Sequence, residues 1–235
     1  MEKVLIIIPA YNEEKNLPNL IKKLEKMYPR YDYVVVNDGS SDHTRELCQR
    51  EDMNVINLPV NLGIGGAVQT GYKYGWENGY DIAVQIDGDG QHDIVYLDKL
   101  LEPLRKNSAD VAIGSRFIKK EGFQSSRLRR TGIVFLSRLI QLLTGVRVYD
   151  VTSGFRAVNR RFLEVYAQDY PSDYPEPEAI VSAIMEGGRV QEVPVIMKER
   201  ESGKSSINFV RSIYYMIKVT FAVLLRRFAY GKKVR

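Results

Sequence analysis

Short, continuous apolar runs rich in β-branched residues recur along the first half of the chain. Each is followed by a stretch in which apolar residues return every three or four positions. "KVLIII", "YDYVVVN", "MNVINL", "DIAVQID" and "ADVAIGS" read as five strands. Between them, "NLPNLIKKLEKM" places Leu17, Leu20, Ile21 and Leu24 on one helical face. "SSDHTRELCQR" opens with the Ser and Asp residues that cap helices. Gly65 to Trp76 reads as a third helix, and "IVYLDKLLEPLRK" as a fourth that is interrupted or ends near Pro103. Strands that are apolar throughout need cover on both faces. The alternation therefore predicts an α/β fold, a mostly parallel sheet flanked by helices.

In such a sheet, ligands bind beyond the carboxyl ends of the strands. The first strand ends in "PAYNE", the second in Asp38-Gly39-Ser40, the fourth in Asp87-Gly88-Asp89 and the fifth in Gly114-Ser115-Arg116. A hydrophobic core has no use for these residues, and all of them fall on one predicted rim. Asp87, Asp89 and Asp93 lie within seven residues. Such carboxylates repel one another unless a positive charge sits among them.

Composition narrows the picture. With 235 residues, 44% of them hydrophobic, the chain can build one sizeable core, and no repeat or low-complexity linker divides it. Cys48 is the single cysteine, so no internal disulfide forms, which suits a reducing compartment and a small buried residue on a helix. The apolar run before Pro9 is five residues long, too short for the core of a signal peptide. Charge is split. Twelve Lys and Arg stand against 18 Asp and Glu before Arg116, and 22 against 11 from Arg116 onward. The basic half faces an anionic partner (nucleic acid, a membrane surface or a phosphorylated substrate) or is a solvated face.

Several nucleotide motifs fail. A P-loop ending in Gly203-Lys204-Ser205 needs a glycine where Lys198 stands. A calcium loop from Asp87 needs Gly and Glu where His92 and Asp98 stand. Gly63, Gly65 and Gly66 in "LGIGGAVQTG" either let backbone approach a ligand at a helix start or form a tight turn. What remains is Asp-x-Asp-x-Gln. The carboxylates of Asp87 and Asp89 and the amide oxygen of Gln91 are hard ligands, suited to Mg²⁺ or Mn²⁺ bridging phosphate oxygens. Asp38 is placed to accept a hydrogen bond from a base N–H.

"IIIPAYNEE", "VVNDGSSDHT", "NLGIGGA", "QIDGDGQH", "GSRF" and "DVTSGFRA" occur in that order, and together they resemble the family 2 glycosyltransferases of A-type fold. The likeness is greatest to the polyprenyl-phosphate branch, the dolichyl-phosphate mannose synthases and bacterial undecaprenyl-phosphate glycosyltransferases. It spans about Val4 to Ser206. The resemblance implies that Pro9, Ala10, Tyr11, Glu13 and Asp38 hold the nucleotide, with Gly65 and Gly88 counted in the same site. Asp87 and Asp89 would lie at its ribose and diphosphate, with Asp89 and Gln91 on the metal. Arg200, in "RESGKSS", matches the segment that closes over the donor diphosphate. The acceptor would be a lipid phosphate held by Arg116 and Arg130. Asp150, which opens "DVTSGFR", stands where a catalytic carboxylate is expected. A phosphate monoester with a second pKa of about 6 needs no strong base, so Asp150 equally orients the acceptor or its loop, or caps that turn. Glu178, in "YPEPEA", is a second candidate.

Two segments, "TGIVFLSRLIQLLTG" and "INFVRSIYYMIKVTFAVLLRRFAY", read as basic amphipathic helices lying in a bilayer interface, or packed on the protein core or an oligomer partner. Residues 1–206 are expected to form the catalytic domain and 207–235 a basic C-terminal helix. Many members of the branch carry transmembrane helices after the catalytic domain. Here the interfacial helices suffice, a separate membrane protein anchors the enzyme, or the natural chain was cut. The expectation is an inverting, metal-dependent enzyme, peripheral on the cytoplasmic face of the cell membrane. It would move glucose or N-acetylglucosamine from a UDP-sugar to undecaprenyl phosphate, with no nucleic-acid partner. Alternatives are a GDP-mannose-using synthase, a transferase extending a glycan at a sugar hydroxyl, and a non-catalytic binding module.

Overall fold

The computed structural model describes residues 2–119, 121–122, 127–173, 175–198 and 209–233. Five strands follow the predicted order: β1 (Val4–Ala10), β2 (Asp32–Asn37), β3 (Val55–Asn57), β4 (Ile82–Gln85) and β5 (Val111–Ser115). Two more, β6 (Arg156–Asn159) and β7 (Val190–Pro194), complete a seven-stranded sheet in the order β3-β2-β1-β4-β6-β5-β7. All pairings are parallel except those of β6, which runs antiparallel to both β4 and β5.

β1 is buried along its whole length, and its period of two divides the core between the faces of the sheet. Val4, Ile6 and Ile8 meet α1 (Leu17–Met27), α2 (Thr44–Arg50) and α4 (Leu97–Arg105). Leu5 and Ile7 point into the second layer, built by α3 (Gly63–Glu77), α5 (Arg127–Thr144), α6 (Arg160–Gln168), α7 (Pro175–Met185) and α8 (Phe209–Lys233). The face of α1 read from the sequence is the buried one: Leu17, Leu20, Ile21 and Leu24. The start of α2 is held by Asp42, whose Oδ1 accepts from the amide and hydroxyl of Thr44 at 3.0 and 2.6 Å. Pro103 sits inside α4, which ends two residues later at Arg105. Cys48 is buried on α2, and burial pushes its thiol up.

The reversal of β6 matters most for function. Because the strand runs backwards, its beginning rather than its end lies on the rim. Arg156 pairs with Gln85 of β4 and with Ile113 of β5, so the preceding "DVTSG" is carried to the carboxyl ends of the parallel strands. β7 ends level with Ser115, and the chain beyond it reaches the same rim, where Met197 bridges His92 and the Lys198 amide donates to the Gln91 carbonyl at 3.0 Å.

α3 lies close on β1 because two of its positions lack side chains. A Cβ at Gly71 would collide with Ile7, a β-branched residue with no room to turn in a fully buried strand. Gly71→Ala is therefore expected to destabilise the protein despite the better helix propensity of alanine. Overpacking costs about 1–3 kcal/mol, and a loss of even 1 kcal/mol lowers the Tm of a domain this size by about 2–4 °C. A thermal melt with an unchanged or raised Tm would contradict this packing.

Candidate active site

The acidic part of the rim is organised around Asp87. Its carboxylate rests against the backbone of Gly154, where a Cβ would come within 2.8 and 2.9 Å of the two oxygens. Gln85 Nε2 donates to Asp87 Oδ1 at 3.3 Å, and the Asp87 amide donates to His92 Nδ1 at 3.0 Å. Asp89 is buried, and its Oδ1 accepts the Gln91 amide at 3.0 Å. Gly88 lies beside Pro9 and Glu13; a Cβ there would stand 3.2 Å from the Pro9 carbonyl. The "DGDG" turn is thus brought against the end of β1.

The Glu13 side chain accepts from Asn16 Nδ2 at 2.6 Å, and its amide donates to Thr44 Oγ1 at 3.0 Å. Tyr11 is half exposed at the mouth, while Ala10 and Pro9 are buried in β1. Asp38 is buried at the end of β2, with Oδ1 accepting the Leu62 amide at 2.7 Å. Gly65 is close-packed for an internal reason: a Cβ there would collide with the carbonyls of Pro171 and Ser172. Arg200 lies outside the described residues; the described chain reaches Lys198, beside Gln91.

The basic part of the rim is built on an ion pair. Arg116 is 7% exposed and Asp150 is fully buried. Arg116 Nε and Nη2 donate to the two Asp150 oxygens, each at 2.7 Å, and the Arg116 amide adds a third bond at 3.0 Å. Burial works against the guanidinium charge, but Asp150 offsets it and the pKa of Arg116 is raised. Glu192 of β7 accepts the amides of Tyr149 and Asp150 at 2.8 and 2.7 Å, fixing the loop before β6. Burial holds the Glu192 carboxyl above the usual range.

Arg116 and Arg130 converge on one ring. Their guanidinium carbons stand 5.2 and 5.8 Å from the centre of Phe117. A cavity of about 240 Å³ opens beside Arg130, lined by Phe117, Ile133, Val134, Ser137, Arg147 and Tyr149. Glu178 faces Arg226 of α8 at 3.7 Å. The neighbouring Glu176 instead shares its field with Arg156, Asp87 and Arg129, and burial pushes its carboxyl up.

A family model described as "Glycosyl transferase family 2" matches residues 5–167, which include every strand end described above except that of β7. The chain belongs to glycosyltransferase family 2. It is 32% identical over 217 residues to the polyprenol monophosphomannose synthase of Mycolicibacterium smegmatis, covering 88% of this chain and 82% of the relative. It is 33% identical over 213 residues to the UDP-N-acetylglucosamine–dolichyl-phosphate N-acetylglucosaminyltransferase of Methanococcus voltae, covering 82% and 84%. Glucosyl-3-phosphoglycerate synthase from Mycobacterium tuberculosis, solved with Mn²⁺, UDP-glucose and phosphoglyceric acid, superposes with a TM-score of 0.73. That match covers 96% of this chain and 80% of the other at 19% identity, a likeness of fold. This glycosyltransferase therefore has the A-type fold of its family.

Whether the donor set of this family 2 enzyme fits a divalent ion is a question of chemistry. No group of three or more His, Cys, Asp and Glu residues suited to a metal occurs among the described residues. Mg²⁺ needs fewer, because it binds through one or two carboxylates together with substrate phosphates and water. Gln91 Nε2 donates to the Lys198 carbonyl at 3.4 Å, which leaves its amide oxygen as the ligand atom. Asp87, Asp89 and Gln91 therefore fit a hard cation.

His92, Phe117, Gly154, Glu176 and Glu192 are the site residues that pattern reading does not single out. Only Gly154 carries a usable sign, a glycine two positions before a buried strand.

Proposed function

We propose that this enzyme is an inverting transferase that moves a hexose from a nucleotide diphosphate sugar to a polyprenyl phosphate at a membrane surface. The observation that carries the reading is the convergence of Arg116 and Arg130 on Phe117, on the same rim as Asp87, whose charge Arg116 feels. Arg116 spends Nε and Nη2 on Asp150, so the planar fork suited to a phosphate is that of Arg130, beside the cavity. The relatives named for polyprenol and dolichyl phosphate acceptors support the same chemistry.

Each side chain then has a task. Pro9, Ala10, Tyr11, Glu13 and Asp38 hold the nucleotide, and Arg200 closes over the diphosphate. Asp87, Asp89 and Gln91 would hold Mg²⁺ or Mn²⁺, which neutralises the diphosphate as it leaves. Arg116 and Arg130 hold the acceptor phosphate against the anomeric carbon. Asp150 keeps the Arg116 fork in place, and the acceptor, largely ionised at neutral pH, attacks without a strong base. Uridine is the base we favour, from the Methanococcus relative named for a UDP-sugar. The Mycolicibacterium relative, named for a monophosphomannose product, favours a second reading in which the sugar is mannose. A radiolabel assay decides it, offering UDP-glucose, UDP-N-acetylglucosamine and GDP-mannose with short-chain polyprenyl phosphate and extracting the product lipid. Label in the aqueous glycan fraction alone would overturn the lipid acceptor.

The membrane contact is proposed for the outer faces of α5 and α8. Among the described residues no helix is long and apolar enough to cross a membrane. Val219 and Val223 of α8 are buried in the second core layer, whereas Ile217, Phe221, Leu225 and Phe228 are exposed. Val134, Phe135 and Leu142 of α5 are exposed as well, with Leu142 reaching 83%. Basic residues beside such faces add attraction to anionic lipid of about 1 kcal/mol each.

Three outcomes are expected. Asp89→Asn should abolish transfer with the fold intact, because the residue sits on the rim, and near-normal rates after verified metal removal would exclude the metal-dependent mechanism. Arg130→Ala should raise the KM for polyprenyl phosphate by about one to two decades, the worth of a charge-assisted hydrogen bond, and leave that for the nucleotide sugar unchanged. The triple replacement Phe221→Ser, Leu225→Ser and Phe228→Ser should weaken sedimentation with anionic vesicles at least about tenfold at an unchanged Tm, since these side chains leave the core untouched. Equal sedimentation of both proteins would remove α8 from the contact and leave it to α5, the helix containing Arg138.

A further inference from the structure

His92 is a buried titratable group to which the proposed function gives no task. It is 5% exposed, and its ring stacks on Phe155 with centroids 5.2 Å apart and planes 18° from parallel. Nδ1 accepts the Asp87 amide at 3.0 Å, so the ring proton of the neutral imidazole sits on Nε2. Nε2 in turn faces Asp87 Oδ2 at 3.6 Å. One ring therefore addresses both the backbone and the carboxylate of a single residue. Gly154 and Gln85 meet the same carboxylate. The backbone of His92 is itself held by its bridge to Met197.

We infer that His92 is a positioning residue that holds the Asp87-Gly88-Asp89 turn in its donor-binding conformation, an assignment that rests on the donor site proposed above. The turn has reason to relax without it. Asp87 and Asp89 repel each other, and an amide that loses a buried acceptor rotates toward another partner. Stacking on Phe155 alone would make His92 a packing residue, and the two roles separate by substitution. His92→Phe keeps a ring on Phe155 but removes the acceptor. His92→Asn gives up the ring and places an amide oxygen close to the position of Nδ1.

The test is calorimetric binding of UDP and of GDP, each with Mn²⁺, to the full chain, alongside Tm and the KM values for donor and acceptor. His92→Phe is expected to weaken nucleotide binding about 10- to 100-fold, while His92→Asn stays within about threefold of the wild type. The acceptor KM should stay unchanged in both. Equal weakening in the two variants, or none in either, would overturn the inference. Asp89→Asn separates the levels: if it loses nucleotide while His92→Phe does not, the inference fails and the donor site stands. A wild-type protein that binds neither nucleotide would overturn both. Hydrogen exchange on the wild type supplies a measurement should His92→Phe not fold: slow exchange at the Asp87 amide supports the bond to Nδ1, and fast exchange refutes it.

Discussion

The rim depends on the buried pair between Arg116 and Asp150. These residues are 34 positions apart, at the end of β5 and in the loop that leads to β6, with the whole of α5 between them. Removing one member of a buried ion pair costs about 3–5 kcal/mol, because the other is left charged in a poor solvent. Domain stability is itself about 5–15 kcal/mol, so this pair is maintained only by a correctly formed loop. Glu192 extends the constraint to β7 by holding the Asp150 amide. Three adjacent strands, β6, β5 and β7, are thereby tied together at this rim.

Much of the fold is legible in the sequence, for a physical reason. β1, β2, β4 and β5 are buried on both faces and must be apolar at nearly every position, which is a strong and local signal. β6 is four residues long and begins with a fully buried arginine, and β7 reads "VQEVP" with polar residues at its centre. Neither carries an apolar run, so both escape a reading by pattern. The reversal of β6 is equally hidden, since strand direction follows from the path of the connections.

The site divides in the same way. Residues at strand ends are legible because topology alone carries them to one rim; Asp38, Asp87, Asp89 and Arg116 are of this kind. Residues that act on other residues are not. Phe117 stands against two arginines and Gly154 admits a carboxylate, yet the first contact has no local sign in the sequence and the second only a glycine shortly before a strand. α8 shows the converse difficulty. It is apolar on its inner face for the core and on its outer face as well, so one amphipathic stripe cannot describe it.

The two outer strands of the sheet decide how copies of this protein can meet. β3 has three residues, and β7 exposes Gln191 and closes with Pro194, a residue without a backbone donor. Short, charged or proline-ended margins offer poor templates for adding a strand from another chain. Continuation of the sheet into a neighbour, the ordinary route from a β-rich fold to a fibre, is therefore discouraged at both margins. Self-association, where it happens, is left to side-chain contacts between helical surfaces. Those contacts would compete for the same apolar faces of α5 and α8 that a lipid surface would cover, so crowding of copies and occupancy of a bilayer become opposing uses of one surface.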